Sequence, residues 1–292
     1  MATQRTAIFE QHRRTLEGIA YRMLGTRQEA QDAVQETYLR WHQVEVAELD
    51  NARAWLMTVC SRIALNQLQS ARKQREVYVG EWLPEPFPDQ PGDDPGVAAE
   101  INDSISVALM HALETLSPVE RAVFLLHDVF DLSFDEVAAA VGKNSANCRQ
   151  LAARARKRVR AQRPRFQTTP EEHRRLLEGF IEAARESDKE KLISLLSPGV
   201  ELHSDGGGRV EALPHVLRGA HDVAGFLAGV FARLRRQGVA TATRCQRFNG
   251  APGVLLFEDE SLATAFTIDV DDGRICRIYA LRNPDKLGGF RS

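Results

Sequence analysis

At 292 residues the chain can hold two or three domains, each with its own core, and its 38 Lys and Arg against 40 Asp and Glu give a formal charge of -2. That near-neutral total excludes a uniformly basic or acidic protein but hides a basic segment offset by an acidic one. Cys60, Cys148, Cys245 and Cys276 lie far apart, with no C-x-x-C pair and no His at ligand spacing, which argues against a zinc site or a disulfide framework and for buried thiols in a reducing cytosol. With no N-terminal apolar h-region and no apolar run of membrane-spanning length, the expectation is a soluble cytoplasmic protein without membrane contact. Neither a cofactor nor a metal is expected.

From Ile8 to about Arg75 the pattern is helical. Ile8, Phe9, Leu16, Ile19, Ala20, Met23 and Leu24 form one stripe; after Gly25, Ala30, Ala33, Val34, Thr37, Tyr38 and Trp41 form a second; Ala52, Trp55, Leu56, Val59, Ile63 and Ala64 form a third. Three amphipathic helices of this kind should pack together. The second carries Asp32, Gln35, Glu36 and Arg40 on its polar face, and the third ends in Asn66, Gln67, Arg72, Lys73 and Arg75. Tyr38, Trp41 and Trp55 could stack on bases, but at helical spacing among apolar neighbours they read as core.

Between Glu76 and Glu120 there is no Lys or Arg, and YVGEWLPEPFPDQPGDDPG combines prolines with acids, as an extended, unpacked connector does. Trp82, Leu83 and Phe87 are apolar groups that a solvated linker has no reason to display, so this run should dock on something.

The stretch from Ser133 to Arg165 reads as two short helices with a tight break at Gly142, which is helix-turn-helix grammar. Val137, Ala138, Val141, Cys148, Leu151, Ala152, Ala155 and Val159 recur at helical spacing. The second helix, capped by Asn144 or Ser145, displays Asn147, Arg149, Gln150, Arg154, Arg156, Lys157, Arg158 and Arg160 without an acid among them. Arg and Lys pair with phosphates, whereas Asn, Gln and Arg near the helix start can bond base edges; Asn147, Arg149 and Gln150 are the base-reading candidates. A solvated basic helix on an ordinary bundle is the plainer alternative.

Beyond Arg165, TPEEHRRLLEGFIEAARESDKEKLISLLSPG begins with a cap and continues as two amphipathic helices. A strand VELHS, a turn at Asp205-Gly206-Gly207-Gly208 and a helix over 220–236 follow. Strands ATATRCQRF, GVLLFED, LATAFTIDV and GRICRIYAL come next, with hairpin turns at Asn249-Gly250 and Asp272-Gly273. Helices followed by a curved antiparallel sheet indicate an α+β cone. His203, Asp205, His215, His221 and Asp222 could supply acid/base groups to a cavity, but a Gly-rich turn and element ends are also where such residues are ordinary polar surface.

DAVQETYLRWHQ followed by NARAWLMTVCSRIALNQLQSARKQRE resembles region 2 of an extracytoplasmic-function (ECF) RNA polymerase sigma factor. LETLSPVERAVFLLHDVFDLSFDEVAAAVGKNSANCRQLAARARKRV resembles its region 4. The later part resembles a SnoaL-like domain of the NTF2-like superfamily. WLPEP, DGGGR at 205–209 and NPDKL at 283–287 together resemble the ECF subgroup with a fused SnoaL-like domain, the sigma-J type, in which the extension acts in place of a separate anti-sigma factor. Arg209 stands where Lys is common, keeping the charge but altering the hydrogen-bond geometry.

The resemblance implies a multi-domain chain: two all-α domains, region 2 over 5–76 and a region 4 helix-turn-helix over 105–163, joined by an acidic linker over 77–104 and followed by an α+β NTF2-like cone over 168–288. It implies that Asp32, Gln35 and Glu36 meet the β′ clamp helices of core RNA polymerase, and that the β flap is a further contact. The loop from Val44 to Asn51 would take an unstacked base of the promoter −10 element, a role consistent with lost stacking worth about 1–3 kcal/mol per base. Asn66, Arg72, Lys73 and Arg75 would hold that strand; Asn147, Arg149, Gln150, Arg154, Arg156 and Lys157 would bind the −35 element. The linker would thread the polymerase channel.

Trp82, Leu83 and Pro84 of the linker, Asp205, Gly206 and Gly207, and Asn283, Pro284 and Asp285 would form regulatory contacts, with the cone against region 2 and the linker. The free protein would be a monomer and not an enzyme. The rival is a helix-turn-helix regulator whose cone senses a ligand or catalyses a reaction; the region 2 block argues against it, since a plain repressor has no use for that sequence.

Overall fold

The computed structural model describes residues 2–44, 49, 51–75, 78–89, 106–162 and 168–290, with the side chains of 2, 3 and 71–75 outside that description. Its contacts divide the chain into two compact units, residues 1–77 with 109–162, and residues 78–108 with 163–292. The three expected stripes become α1 (Ala2–Leu24), α2 (Arg27–Trp41) and α3 (Ala52–Arg75). The Thr26 hydroxyl caps α2 by accepting from the Glu29 amide at 3.4 Å. Phe9, Leu16, Ile19, Met23, Trp41, Leu56, Cys60 and Ile63 close the bundle core. Trp41 is fully buried, its indole Nε1 donating to the Arg5 carbonyl at 2.9 Å. It is core, whereas Trp55 beside it is only partly buried.

A second helical group follows: α4 (Val107–Glu114), α5 (Pro118–Phe124) running into a π-helical turn at Leu125–Val129, α6 (Phe134–Val141) and α7 (Ser145–Gln162). Ser117 with Glu120 and Ser133 with Glu136 form reciprocal capping boxes that start α5 and α6. Gly142 ends α6 at φ +66°, a left-handed position that favours glycine, and the Asn144 side chain then accepts from the Asn147 amide to start α7. Of the two cap residues considered, Asn144 does the capping.

The two helical groups pack into one unit. Arg62 of α3 donates to the Ala139 and Ala140 carbonyls near the end of α6, where a cation also complements the helix dipole. Arg121 of α5 is buried, donates to the Arg22 carbonyl at 2.9 Å and is paired with Glu114 at 2.5 Å. Burial pushes the Arg22 guanidinium down to about 10, still cationic at neutral pH, and the Phe130 ring and Gly18 carbonyl face it.

In the other unit, α8 (Pro170–Glu186), α9 (Lys189–Leu195) and α10 (Ala220–Arg236) pack on a six-stranded sheet of β1 (Leu196–Asp205), β2 (Leu217–Arg218), β3 (Thr241–Phe248), β4 (Ala251–Glu258), β5 (Ser261–Asp271) and β6 (Arg274–Leu281). The strand order is β2-β1-β6-β5-β4-β3, antiparallel except for β1 on β6. The expected turns at Asn249-Gly250 and Asp272-Gly273 are present with positive φ at both residues; a third, Asp259-Glu260, does the same without glycine and was not expected. Alternation along the strands makes two apolar layers. The inner one, between sheet and helices, holds Phe180, Leu192, Val223, Phe231, Phe266, Ile268 and Ile278. The outer holds Leu255, Ala265, Tyr279 and Leu281 and is covered by Leu83, Val107, Leu287 and Phe290.

Two expectations fail. The connector is not unpacked over 78–89, because its apolar groups complete the outer layer; residues 90–104 lie outside the described residues. Cys245 is exposed, since it faces outward on the edge strand β3; Cys60 and Cys148 are buried and Cys276 is partly so.

Candidate nucleic-acid interface and the Asp205 cluster

On α7 the apolar positions face inward and the basic ones outward, as the 3.6-residue period requires. Cys148, Ala152, Ala155 and Val159 are buried, while Asn147, Arg149, Gln150, Arg154 and Lys157 are exposed. The helix therefore offers a polar and cationic face that a DNA groove can receive. Neighbouring acids divide that face. Arg156 is paired with Asp128 at 2.5 Å and Arg158 with Glu120 at 2.8 Å. Burial works against the Glu120 charge, yet bonds from Ser117 and the nearby Arg158 and Arg154 hold its carboxyl below the ordinary range. Arg156, a candidate for the −35 element, is thus already engaged within the protein.

On α2, Asp32 and Gln35 are exposed and Glu36 is half-exposed and paired with Arg40. Leu39, a turn further on, is exposed as well. Asn66 is exposed on α3. The side chains of Arg72, Lys73 and Arg75, and most of the loop at 45–50, lie outside the described residues.

The residues of the three short motifs converge on one carboxylate. Asp205 ends β1 and is fully buried. Its Oδ1 accepts from the Tyr78 hydroxyl at 2.6 Å and the Gly207 amide at 3.0 Å; its Oδ2 accepts from the Leu83 amide at 2.9 Å and Lys286 Nζ at 2.7 Å. Lys286 also donates to the Leu83 carbonyl at 2.5 Å and lies over the Trp82 ring, 4.1 Å from its centroid. Burial, then the bond to Asp205, pushes the Tyr78 phenol up, so it stays protonated and donating. Asn283 donates to the Tyr78 oxygen at 3.0 Å, and the amides of Arg282 and Asn283 donate to the Asp205 carbonyl at 2.8 Å. A buried charge pair with every lone pair used is the arrangement that offsets its desolvation.

The turn has to be glycine-rich. Gly207 lies at φ +63°, and a Cβ there would sit 2.3 Å from Asn283 Nδ2; at Gly206 it would sit 2.5 Å from the Val210 carbonyl oxygen. Gly207→Ala is accordingly expected to lower stability by about 1–3 kcal/mol, read as a lower Tm, because strain and overpacking act together. Arg209 pairs with Asp285 at 3.1 Å on the surface, where such a pair contributes little.

A second anchor ties the linker to the far end of the cone. The Asn249 side chain accepts from the Phe87 amide at 2.7 Å and its own amide donates to the Phe87 carbonyl at 2.8 Å, while Asp89 pairs with Arg247 at 3.3 Å. Glu81 lies 2.7 Å from His203 Nδ1. Tyr78, Glu81, Asn249 and Lys286 were not among the expected site residues. Lys286 was legible as the one cation in NPDKL; Asn249 was hidden because Asn-Gly already had a sufficient explanation as a turn.

The acid/base candidates do not gather at one place. His203 and Asp205 face the linker on the outer side of the sheet and His215 is exposed. His221 and Asp222, exposed at the start of α10, line a pocket of about 370 Å³ with Ile193, Leu196, Pro198 and Arg274.

Residues 8–74 match the family described as Sigma-70 region 2 and residues 106–159 the family described as Sigma-70, region 4. The ECF RNA polymerase sigma factor SigJ of Mycobacterium tuberculosis is 37% identical over 96% of this chain and 92% of its own. The probable ECF RNA polymerase sigma factor SigI of the same species is 32% identical over 98% and 96%. The crystal structure of M. tuberculosis SigJ superposes with a TM-score of 0.77 at 33% identity, covering 97% of this chain and 98% of that one.

Proposed function

The chain belongs to the ECF family of RNA polymerase sigma factors, the proteins that direct core polymerase to promoters, and on that footing we propose how its parts divide the work. Asp32, Gln35 and Glu36 dock on the β′ clamp helices, with region 4 at the β flap. Asn66, Arg72, Lys73 and Arg75 hold the −10 strand, and α7 enters the major groove of the −35 element. It works in the cytoplasm, where the polymerase is.

The NTF2-like cone controls how far regions 2 and 4 can part. The observation that carries this reading is that Leu83 and Val107, near the two ends of the linker, lie in one apolar cluster on the cone. Elements named −10 and −35 lie about 25 base pairs apart, about 85 Å of duplex at 3.4 Å per step. A linker pinned at both ends keeps the two modules closed, and so do Arg62 and Arg121; engagement of a promoter requires release. Because the cone is tethered, a weak contact suffices.

The cone acts as a regulator and not a catalyst. Its inner space is filled by Phe180, Phe231, Phe266 and their neighbours, and of the acid/base candidates His203 and Asp205 are taken up by the linker while His221 and Asp222 line a separate pocket, which favours this reading over a ligand-sensing or enzymatic cone.

Runoff transcription with core polymerase tests it, comparing the intact chain with one ending at Arg165 on promoters of varied spacer length. The truncated chain should accept a wider range of spacers. Identical profiles would remove the regulatory role, and absence of any promoter-specific transcript from both forms would remove the division of labour as a whole.

A further inference from the structure

The cations along α7 are held in two different ways. Arg156 and Arg158 are held by carboxylates, Arg156 through Nε by Asp128 and Arg158 through Nη1 by Glu120. Arg149, in the second turn of the helix, is held by a ring: its guanidinium carbon lies 5.3 Å from the centroid of Phe134. No carboxylate engages Arg149 among the described residues. An aromatic face fixes a guanidinium by its flat side and leaves the N–H fork at its edge available, which is the edge that bonds two acceptors of one base.

Phe134 is itself well fixed. It is the first residue of α6, directly after the Ser133 cap, whose hydroxyl and amide are both bonded to Glu136. Its other neighbour is the His127 ring, 3.8 Å between centroids, and His127 Nδ1 lies 2.8 Å from the Leu132 carbonyl. Phe134 remains partly exposed, so its place in the helix-turn-helix is not that of a core residue. The order is His127, Phe134, Arg149: an anchored ring, a second ring, and the cation.

We infer that Phe134 is a positioning residue for promoter recognition, holding the Arg149 guanidinium in the orientation that reads one guanine of the −35 element. The inference rests on the reading of α7 as the −35 helix and names a residue that this reading does not include. Phe134 does not touch the base. It narrows the directions in which Arg149 can point before DNA arrives, so less freedom is lost on binding.

The test uses the full-length chain with core polymerase, transcribing a promoter library randomised across the −35 element. Arg149→Ala should erase the guanine preference at one position, a loss of roughly 5- to 150-fold in discrimination, the range of a bidentate pair. Phe134→Leu should weaken the preference at that same position by about 2- to 5-fold, the range of an exposed cation–π contact, and Phe134→Tyr should restore it. Phe134→Met, which keeps bulk and loses the ring, should behave as Phe134→Leu and covers the case in which leucine folds poorly. Equal losses at every position, or a tyrosine variant as impaired as leucine, would reduce Phe134 to a structural residue and overturn the inference. If Arg149→Ala itself leaves every base preference intact, the reading of α7 falls first and this inference with it.

Discussion

Asp205→Ala is expected to destabilise the second unit by about 3–5 kcal/mol and to free residues 78–89 from the cone. The cost arises because the variant leaves a buried ammonium, Lys286, without its counter-charge, and removes the acceptor for the Leu83 amide, the Tyr78 hydroxyl and the Gly207 amide together. Chemical denaturation reads the stability, and hydrogen exchange at the Leu83 amide reads the release. A companion variant, Asp205→Leu with Lys286→Met, removes both charges. It should recover only the part of the loss that comes from the orphaned ammonium, since the Leu83 and Gly207 amides and the Tyr78 hydroxyl still lack their acceptor. If the Leu83 amide exchanged no faster in Asp205→Ala than in the natural chain, the carboxylate would not be what holds the linker.

Arg154→Ala combined with Lys157→Ala is expected to weaken promoter binding by the polymerase complex at every −35 sequence alike. Both side chains are exposed on α7, and among the described residues neither is paired as Arg156 and Arg158 are with Asp128 and Glu120. Removing one cation from a phosphate should flatten the dependence of log affinity on log salt by about 0.9, so the pair should remove about 1.8. Between 50 and 200 mM salt that amounts to about tenfold of the salt effect. Gel shift or fluorescence titration across this range checks it. Base preferences should stay unchanged, because phosphate contacts position and do not specify. An unchanged salt slope would mean that this face does not meet the backbone.

The opposite charges near α7 also bear on pH. Glu120 has a carboxyl held below its ordinary value, so its contribution to stability is present above the unfolded carboxylate pKa and is lost as pH falls through the lower, folded value. The α5 cap and the tie to Arg158 therefore persist at neutral pH.

What the chain alone determined was local. Helix periods, the Gly142 break, the Asn-Gly and Asp-Gly hairpins and the α10 span follow from side-chain spacing and backbone preference, which act over a few residues and need no partner. The basic face of α7 was legible for the same reason. Only the tertiary structure decided which of those cations are free, because Asp128 and Glu120 reach Arg156 and Arg158 from other elements. It likewise decided that an acidic, proline-rich run is docked: Leu83 and Asp205 are 122 residues apart, and Lys286 and Leu83 203. No local preference encodes that meeting. A buried carboxylate needs donors, and burial and hydrogen-bond satisfaction are properties of the packed chain, settled only when distant segments share one low-dielectric site.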